Sequence, residues 1–302
     1  MRILVTGAAG YIGSALVRAL RGDIIATDQS SAPFPNAVVG NIAYPQFARS
    51  LITPDVGVVF HLASLVSGGA EQNFELGMKV NLDATRDLLE ACRLAGHRPK
   101  FIFASSIAVY GGRLPEPVTD ETAPSPRISY GAEKLICEVL IGDYARRGYV
   151  DGRALRLPTV MVRPGSANTA VSGWASAIIR EPLAGRDYVC PVAPQTRMAC
   201  ISLGRVVDSF KRIAGVPGDQ LGPRRTVLLT GIPVSAQQMW EAVKQKAKGR
   251  VRFEPDPALQ TIMDAVPKAT LSQRAAELGL PHNSSIDEIV REYEETALTH
   301  HG

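Results

Sequence analysis

The sequence predicts an α/β protein: a doubly wound parallel sheet with a smaller C-terminal lobe. Three observations lead there. Short β-branched runs alternate with helical patterns through residues 1–165. The first run stops at a glycine-rich turn that opens a helix. Glycine, hydroxyl and acidic residues gather where the runs end, the side of an open parallel sheet on which ligands bind.

Ile3-Leu4-Val5-Thr6 is the first run, and it ends at Gly7-Ala8-Ala9-Gly10-Tyr11-Ile12-Gly13. Leu16, Val17 and Leu20 follow at helical spacing. Strand, glycine turn and helix, in that order, bring backbone N–H groups and a helix N-terminus onto a pyrophosphate. The glycines are spaced G-x-x-G-x-x-G rather than G-x-G-x-x-G, and such a turn alone can be simply a helix entry. A second strand, Ile24 to Thr27, ends at Asp28. It lies about 20 residues past the first glycine, where an acid would hold an adenosine ribose diol. Gln29 and Ser30 come next, with no Arg or Lys to meet a 2′-phosphate, so NAD is favoured over NADP.

Ala37 to Val39 is a third strand, leading to Gly40-Asn41-Ile42, and Val56 to Leu62 a fourth, closing at His61-Leu62-Ala63-Ser64. His61 reads as a packing or backbone-bonding residue. A helix is expected over 78–95, a fifth strand from Phe101 to the hydroxyls Ser105 and Ser106, and a helix over 128–144. A sixth strand runs from Arg153 to Val162, with Pro158 near its end.

The helix over 128–144 carries Tyr130-Gly131-Ala132-Glu133-Lys134. Residues four apart share one helix face. An ammonium beside a phenol favours the phenolate and is expected to lower the Tyr130 pKa from about 10. Such a tyrosine can take a proton from an alcohol or return it to a carbonyl. A serine at the end of the fifth strand could hold the same substrate oxygen. Alone, the Tyr-to-Lys spacing fits any surface helix; its position beside the strand ends gives it weight.

Residues 164–200 are rich in Pro, Gly and Ala. Ile201 to Ala214 reads as a helix and Thr226 to Thr230 as a further strand. Ser235 with Gln238 and Ser285 with Glu288 match capping boxes, the first opening a helix through Lys246. Ile286, Ile289, Val290 and Tyr293 would line one side of a last helix. The expected division is a nucleotide-binding domain over 1–165, rejoined by 199–230, and a substrate-binding lobe from 166–198 and 231–302.

Composition excludes several classes. Of 302 residues 45% are hydrophobic and the net charge is +4, without long like-charged runs, so neither a nucleic-acid nor a membrane partner is expected. No apolar stretch reaches the ~20 residues of a membrane span. Met1-Arg2 leads straight into a strand, which leaves no room for a signal peptide. Four cysteines form no C-x-x-C pair and five histidines are scattered, so no metal site is expected. A reduced, cytoplasmic protein is the expectation.

Taken in order, Gly7, Gly10 and Gly13, Asp28, Asn41-Ile42, His61-Leu62-Ala63, Val80-Asn81, Ser105-Ser106, Tyr130 and Lys134 resemble the extended short-chain dehydrogenase/reductase superfamily. The resemblance implies a Rossmann-type domain with Ser106, Tyr130 and Lys134 as catalytic trio. It implies NAD lying on Gly7, Gly10, Tyr11, Ile12 and Gly13, with Asp28 on the adenosine ribose and Asn41-Ile42 beside the adenine. Leu62, Ala63, Pro158 and Thr159 would border the cofactor, Asn81 would buttress the active-site helix, and Lys134 would reach the nicotinamide ribose. It also implies a homodimer, through the helices around 78–95 and 128–144.

Narrower runs, His61 to Gly68, Arg156 to Gly165, Ile179 to Gly185, Cys190 to Val192 and Thr196 to Met198, are similar to a branch that oxidises the C2 hydroxyl of a D-erythronate-like aldonate with NAD. That likeness implies a small sugar-acid substrate. A carboxylate suits the two-pronged donor of an arginine. Arg197, and after it Arg163, are the candidates, with Ser67, Ser106, Thr159 and Asn168 as polar partners. An epimerase or reductase of nucleotide sugars with tightly bound NAD is the competing reading. Against it, an Asn-Val-Tyr-Gly-Pro-like run is replaced here by Pro-Thr-Val-Met-Val-Arg-Pro-Gly. A nucleotide-sensing module is a third reading, and the intact Tyr130 and Lys134 weigh against it.

Overall fold

Leu4 and Val5 lie in different apolar clusters, and the same alternation recurs in the neighbouring strands at Ile24-Ile25-Ala26, Val58-Val59-Phe60 and Phe101 to Ala104. The computed structural model describes residues 1–34, 37–165 and 171–299. Its sheet has seven strands: β1 (Arg2–Thr6), β2 (Ile24–Asp28), β3 (Val38–Val39), β4 (Val56–His61), β5 (Lys100–Ser106), β6 (Asp151–Leu157) and β7 (Thr226–Leu228). All pairings are parallel, in the order β7-β6-β5-β4-β1-β2-β3.

Val5, Phe60, Ile102 and Leu155 meet the helices α1 (Tyr11–Ala19) and Leu203–Gly215 on one face. Leu4, Val59, Phe101 and Phe103 meet α2 (Ala84–Ala95) and α3 (Ser129–Arg146) on the other. Covered on both sides, the strands need unbroken apolar runs, which explains Phe101 to Ala104. Each fully buried Phe or Leu side chain contributes about 1.5–3 kcal/mol. The order of strands reverses between β1 and β4, the point of an open parallel sheet at which ligands bind above the carboxyl ends.

A third cluster forms a smaller core, around Met161, Trp174, Ile178, Met198, Met239, Ile289 and Val290. Several expectations change here. The sixth strand breaks at Pro158: β6 stays in the large sheet, while Thr159–Met161 pairs with Arg197–Ser202, itself paired with Ile232–Ser235. Proline has no N–H to continue the ladder, so the chain leaves the sheet there. Ile201 and Ser202 finish a strand rather than start a helix, and Ser202 caps Leu203–Gly215 by accepting from Arg205 N–H at 3.4 Å.

Ser235 and Gln238 form the full capping box, but its helix ends at Glu241. Ser285 accepts from Glu288 N–H at 3.3 Å, while the Glu288 carboxylate turns to Ser284 instead of closing the second box. The helix Gly173–Leu183 lies within the stretch read only as Pro-, Gly- and Ala-rich. No helix among the described residues is long and apolar enough to cross a membrane.

Candidate active site

The glycine loop is built by contact of backbone on backbone. Gly7 has φ +71°, and a Cβ there would stand 2.6 Å from Ala63 N. A Cβ on Gly13 would stand 2.0 Å from Gly7 O. Both positions therefore require glycine, one by conformation and both by close approach. Gly10 N–H donates to Gly7 O at 3.0 Å, and Gly10 offers no side chain to cap α1. The first-turn amides of Tyr11, Ile12 and Gly13 have no preceding helical carbonyl, so they and the helix dipole suit a pyrophosphate.

Asp28 ends β2, where its carboxylate accepts from Ala9 N–H and Ser30 N–H, each at 3.1 Å. A carboxylate has about four acceptor positions, so a ribose diol can still be met. Asn41 spends its side-chain oxygen on Ala43 N–H at 2.9 Å, and the Ile42 side chain lies in the core. Beside an adenine, that pair would therefore offer backbone and the Asn41 side-chain amide N–H donors. Leu62 N–H donates to Thr6 O at 3.2 Å and Ala63 N–H to Thr6 Oγ1 at 3.3 Å, which fixes the segment facing the loop. This donor set fits a dinucleotide.

The two serines ending β5 separate by face. Ser105 is buried and donates to Glu138, whose carboxylate holds the Arg156 guanidinium. Ser106 points the other way, where it caps the short turn Ile107–Val109 and reaches the Tyr130 phenol. Gly131 lets α3 come this close, since a Cβ there would stand 2.1 Å from Ala108 O. Lys134 is buried, its Nζ 5.4 Å from the centre of the Tyr130 ring and 4.5 Å from that of Phe103.

The expected lowering of the Tyr130 pKa by Lys134 is corrected here. Burial pushes the phenol up to about 12, against hydrogen bonding by Ser64, the Arg163 guanidinium and hydrogen bonding by Ser106. The i, i+4 spacing brings the ammonium over the ring face rather than to the oxygen, so its field at the hydroxyl is weaker than sequence suggested. Lys134 itself is pushed down to about 8, chiefly by burial.

Asn81 stands in a π-helical turn, Met78–Asp83, between the short helix Phe74–Gly77 and α2. Such turns occur frequently at functional sites. Its side chain accepts from Ser64 Oγ at 2.9 Å and Leu65 N–H at 2.7 Å, and donates to Leu65 O at 3.1 Å and Glu133 Oε2 at 2.5 Å. Glu133 is buried with Oε1 unpartnered, and burial pushes its pKa up.

His61 is a packing residue with a fixed tautomer. Thr85 donates to Asn81 O at 2.6 Å and so accepts from His61 Nε2, at 2.9 Å; Nδ1 accepts from Thr6 Oγ1 at 2.7 Å. Burial, and then Lys134, lower its pKa to about 3, so the ring stays neutral.

The arginines part company. Arg197 lies at the surface in an ion pair with Glu116, Nη1 to Oε1 2.7 Å. The Arg163 guanidinium lies 5.5 Å from the centre of the Tyr11 ring, and its charged neighbours are the Tyr11 and Tyr130 phenols and Arg180. Arg180 is already paired with Glu181 at 2.7 Å. Ser67 opens the helix Ser67–Gln72 and accepts from Val171 N–H at 3.4 Å. Thr159, half-buried, starts the strand after the buried Pro158. Asn168 falls outside the described residues.

Sequence reasoning did not single out Ser64 or Glu133; the signal for Ser64 was its place directly after a strand-end His-Leu-Ala. Cys92, Cys137, Cys190 and Cys200 are free and buried. Among the described residues, no group of three or more His, Cys, Asp or Glu could hold a metal ion.

Residues 3–196 match the NAD dependent epimerase/dehydratase family. The chain is 44% identical to D-erythronate dehydrogenase of Cupriavidus necator, over 98% of this chain and 99% of that one. It is 36% identical to D-erythronate dehydrogenase of Haemophilus influenzae, over 97% and 98% respectively. Among solved structures, it is similar to a nucleoside-diphosphate-sugar epimerase from Agrobacterium tumefaciens, with TM-score 0.92, 35% identity, and coverage of 99% of this chain and 95% of that one.

Proposed function

The chain belongs to the NAD dependent epimerase/dehydratase family, of extended short-chain dehydrogenase/reductase type, and from that premise we propose that it is an NAD-dependent dehydrogenase acting on a small sugar acid. The reaction is oxidation of the C2 hydroxyl of a D-erythronate-like aldonate to the 2-keto acid. One observation carries this reading: the Tyr130 phenol lies among Ser64, Ser106 and the Arg163 guanidinium, and among the described residues no carboxylate is a main charged neighbour of Arg163. Ionised to the phenolate, Tyr130 can take the alcohol proton, and a nearby guanidinium with no carboxylate partner among the described residues suits a substrate carboxylate.

Tyr130, as phenolate, takes the C2 hydroxyl proton and becomes the phenol, while Ser106 donates to the same oxygen. Arg163 holds the carboxylate, and this turns C2 to the phenol. Lys134, packed over the Tyr130 ring, adds a buried positive charge beside the phenol. The first-turn amides of α1 hold the pyrophosphate and Asp28 the adenosine ribose. NAD held there would supply the hydride acceptor and a positively charged ring.

Incubated with D-erythronate and NAD, the enzyme should accumulate free NADH, with NADP a poorer acceptor. Tyr130→Phe should cost on the order of a hundredfold or more in kcat while NAD still binds. A Tyr130→Phe enzyme working at close to the wild-type rate would remove the proposal. The Agrobacterium relative's name favours a second reading, nucleotide-sugar epimerisation with retained NAD. That reading requires an isomerised sugar nucleotide with no net NADH. Dimerisation through the outer sides of α2 and α3 belongs to the same proposal.

A further inference from the structure

Tyr130 is flanked by two serines from different strands, Ser106 after β5 and Ser64 after β4. Ser64 is held from behind by Asn81, with 2.9 Å between Oγ and Oδ1. The amide cannot be turned round. Leu65 supplies an N–H to Oδ1 at 2.7 Å and a C=O to Nδ2 at 3.1 Å, so a flipped Asn81 would set donor against donor and acceptor against acceptor. Glu133, accepting from Nδ2, holds the same orientation from the other side.

Ser64 has one hydrogen and two acceptor positions. The Ser64 hydrogen has two acceptors in reach, Asn81 Oδ1 at 2.9 Å and Leu65 O at 3.2 Å, which leaves the Ser64 oxygen able to accept from the phenol while Tyr130 keeps its proton. Once the proton has gone, rotation about the Ser64 Cβ–Oγ bond turns that hydrogen to the phenolate. Asn81 Oδ1 then still has Leu65 N–H. The phenol oxygen is therefore met by a partner of the right sense in both states, at the cost of one torsion.

We propose that Ser64 is a positioning residue of the catalytic centre: a reversible hydroxyl, aimed by Asn81 and Glu133, that holds the Tyr130 oxygen in place and donates to it when it is ionised. This rests on Tyr130 as the base, and it adds a second hydroxyl to the one at Ser106. Burial works against ionisation of Tyr130, and Ser64 is foremost among the groups that oppose it.

The test uses Ser64→Ala and Ser64→Thr in the full chain. Phenolate absorbance is titrated in each, minus the trace of the same protein carrying Tyr130→Phe, which isolates one of the eight tyrosines. Ser64→Ala should move that midpoint, and the limb of the kcat profile that rises with pH, upwards by about one pH unit. Near neutral pH its kcat should fall about tenfold, with NAD affinity unchanged. Ser64→Thr, which keeps the hydroxyl, should restore both. A midpoint and profile unmoved in Ser64→Ala overturn the proposal, as does a loss of rate that Ser64→Thr leaves unrepaired. Failure of the dehydrogenase reading is seen separately, as activity surviving Tyr130→Phe, and the absorbance titration still reports whether Ser64 acts on the phenol.

Discussion

Arg163→Met should raise KM for the sugar acid about ten- to a hundredfold, the loss of a charge-assisted hydrogen-bond pair. Arg197→Met should leave KM nearly unchanged, and stability within about 1 kcal/mol, because an exposed ion pair contributes little. Steady-state kinetics with D-erythronate separates the two, and equal effects would count against Arg163 as the clamp. The sequence offered both as arginines near the expected pocket and preferred Arg197. Only the folded chain shows Glu116 beside one and the Tyr130 phenol near the other. Ser106 was preferred over Ser105 on the resemblance, by the three residues that separate it from Tyr110-Gly111; alternate residues on a strand face opposite ways, and Ser105 turns into the Glu138–Arg156 network. Ser64 could not be chosen from sequence, since its role depends on Asn81 arriving from another element.

Among elements, the meeting of α3 with the turn after β5 decides whether Tyr130 and Ser106 share a substrate. Gly131→Ala must push the helix off Ala108 O, where a Cβ would stand only 2.1 Å away. Overpacking of this kind costs about 1–3 kcal/mol. The expected result is a lowered Tm with kcat falling more than NAD affinity, read by calorimetry and kinetics; an unchanged kcat would show that the approach is not needed. The strand-turn-helix opening and β1 to β6 were legible because two-sided burial forces continuous apolar runs. The helix Gly173–Leu183 was not, since Trp174, Ala175, Ile178, Ile179 and most of its other residues are buried, leaving little polar face for a period of 3.6. Nor was the π-helical turn at Met78–Asp83, one residue wider per turn and hidden inside a helical pattern. The break at Pro158 was masked because apolar residues continue through it.

Over the whole molecule, acid should loosen the fold through His61. Its folded pKa, about 3, lies below the ordinary 6.5, so in that interval the unfolded chain binds a proton that the folded chain refuses. Stability at this group is full above about 6.5 and is lost as pH falls, by up to ~1.4 kcal/mol per pH unit. Denaturant titrations between pH 6.5 and 5, above most carboxylate pKa values, should show a shallower slope in His61→Asn; equal slopes would refute this. On the outer side of α3, Ile136 and Val139 are 43% and 66% exposed, and Leu94 of α2 is 64% exposed, an apolar surface that suits a second copy. Val139→Glu should therefore give a monomer by sedimentation, and a wild-type protein already monomeric at micromolar concentration would dismiss the dimer. Gly7 against Ala63 has a further meaning at this scale. At Gly7 the first strand's turn meets the main chain of Leu62 and Ala63 directly, so no side chain of the glycine loop stands between them that could be trimmed to make room. On the proposed reading, a change of substrate is then expected to come from exchanges at Thr159 and Arg163, which leave that seam closed.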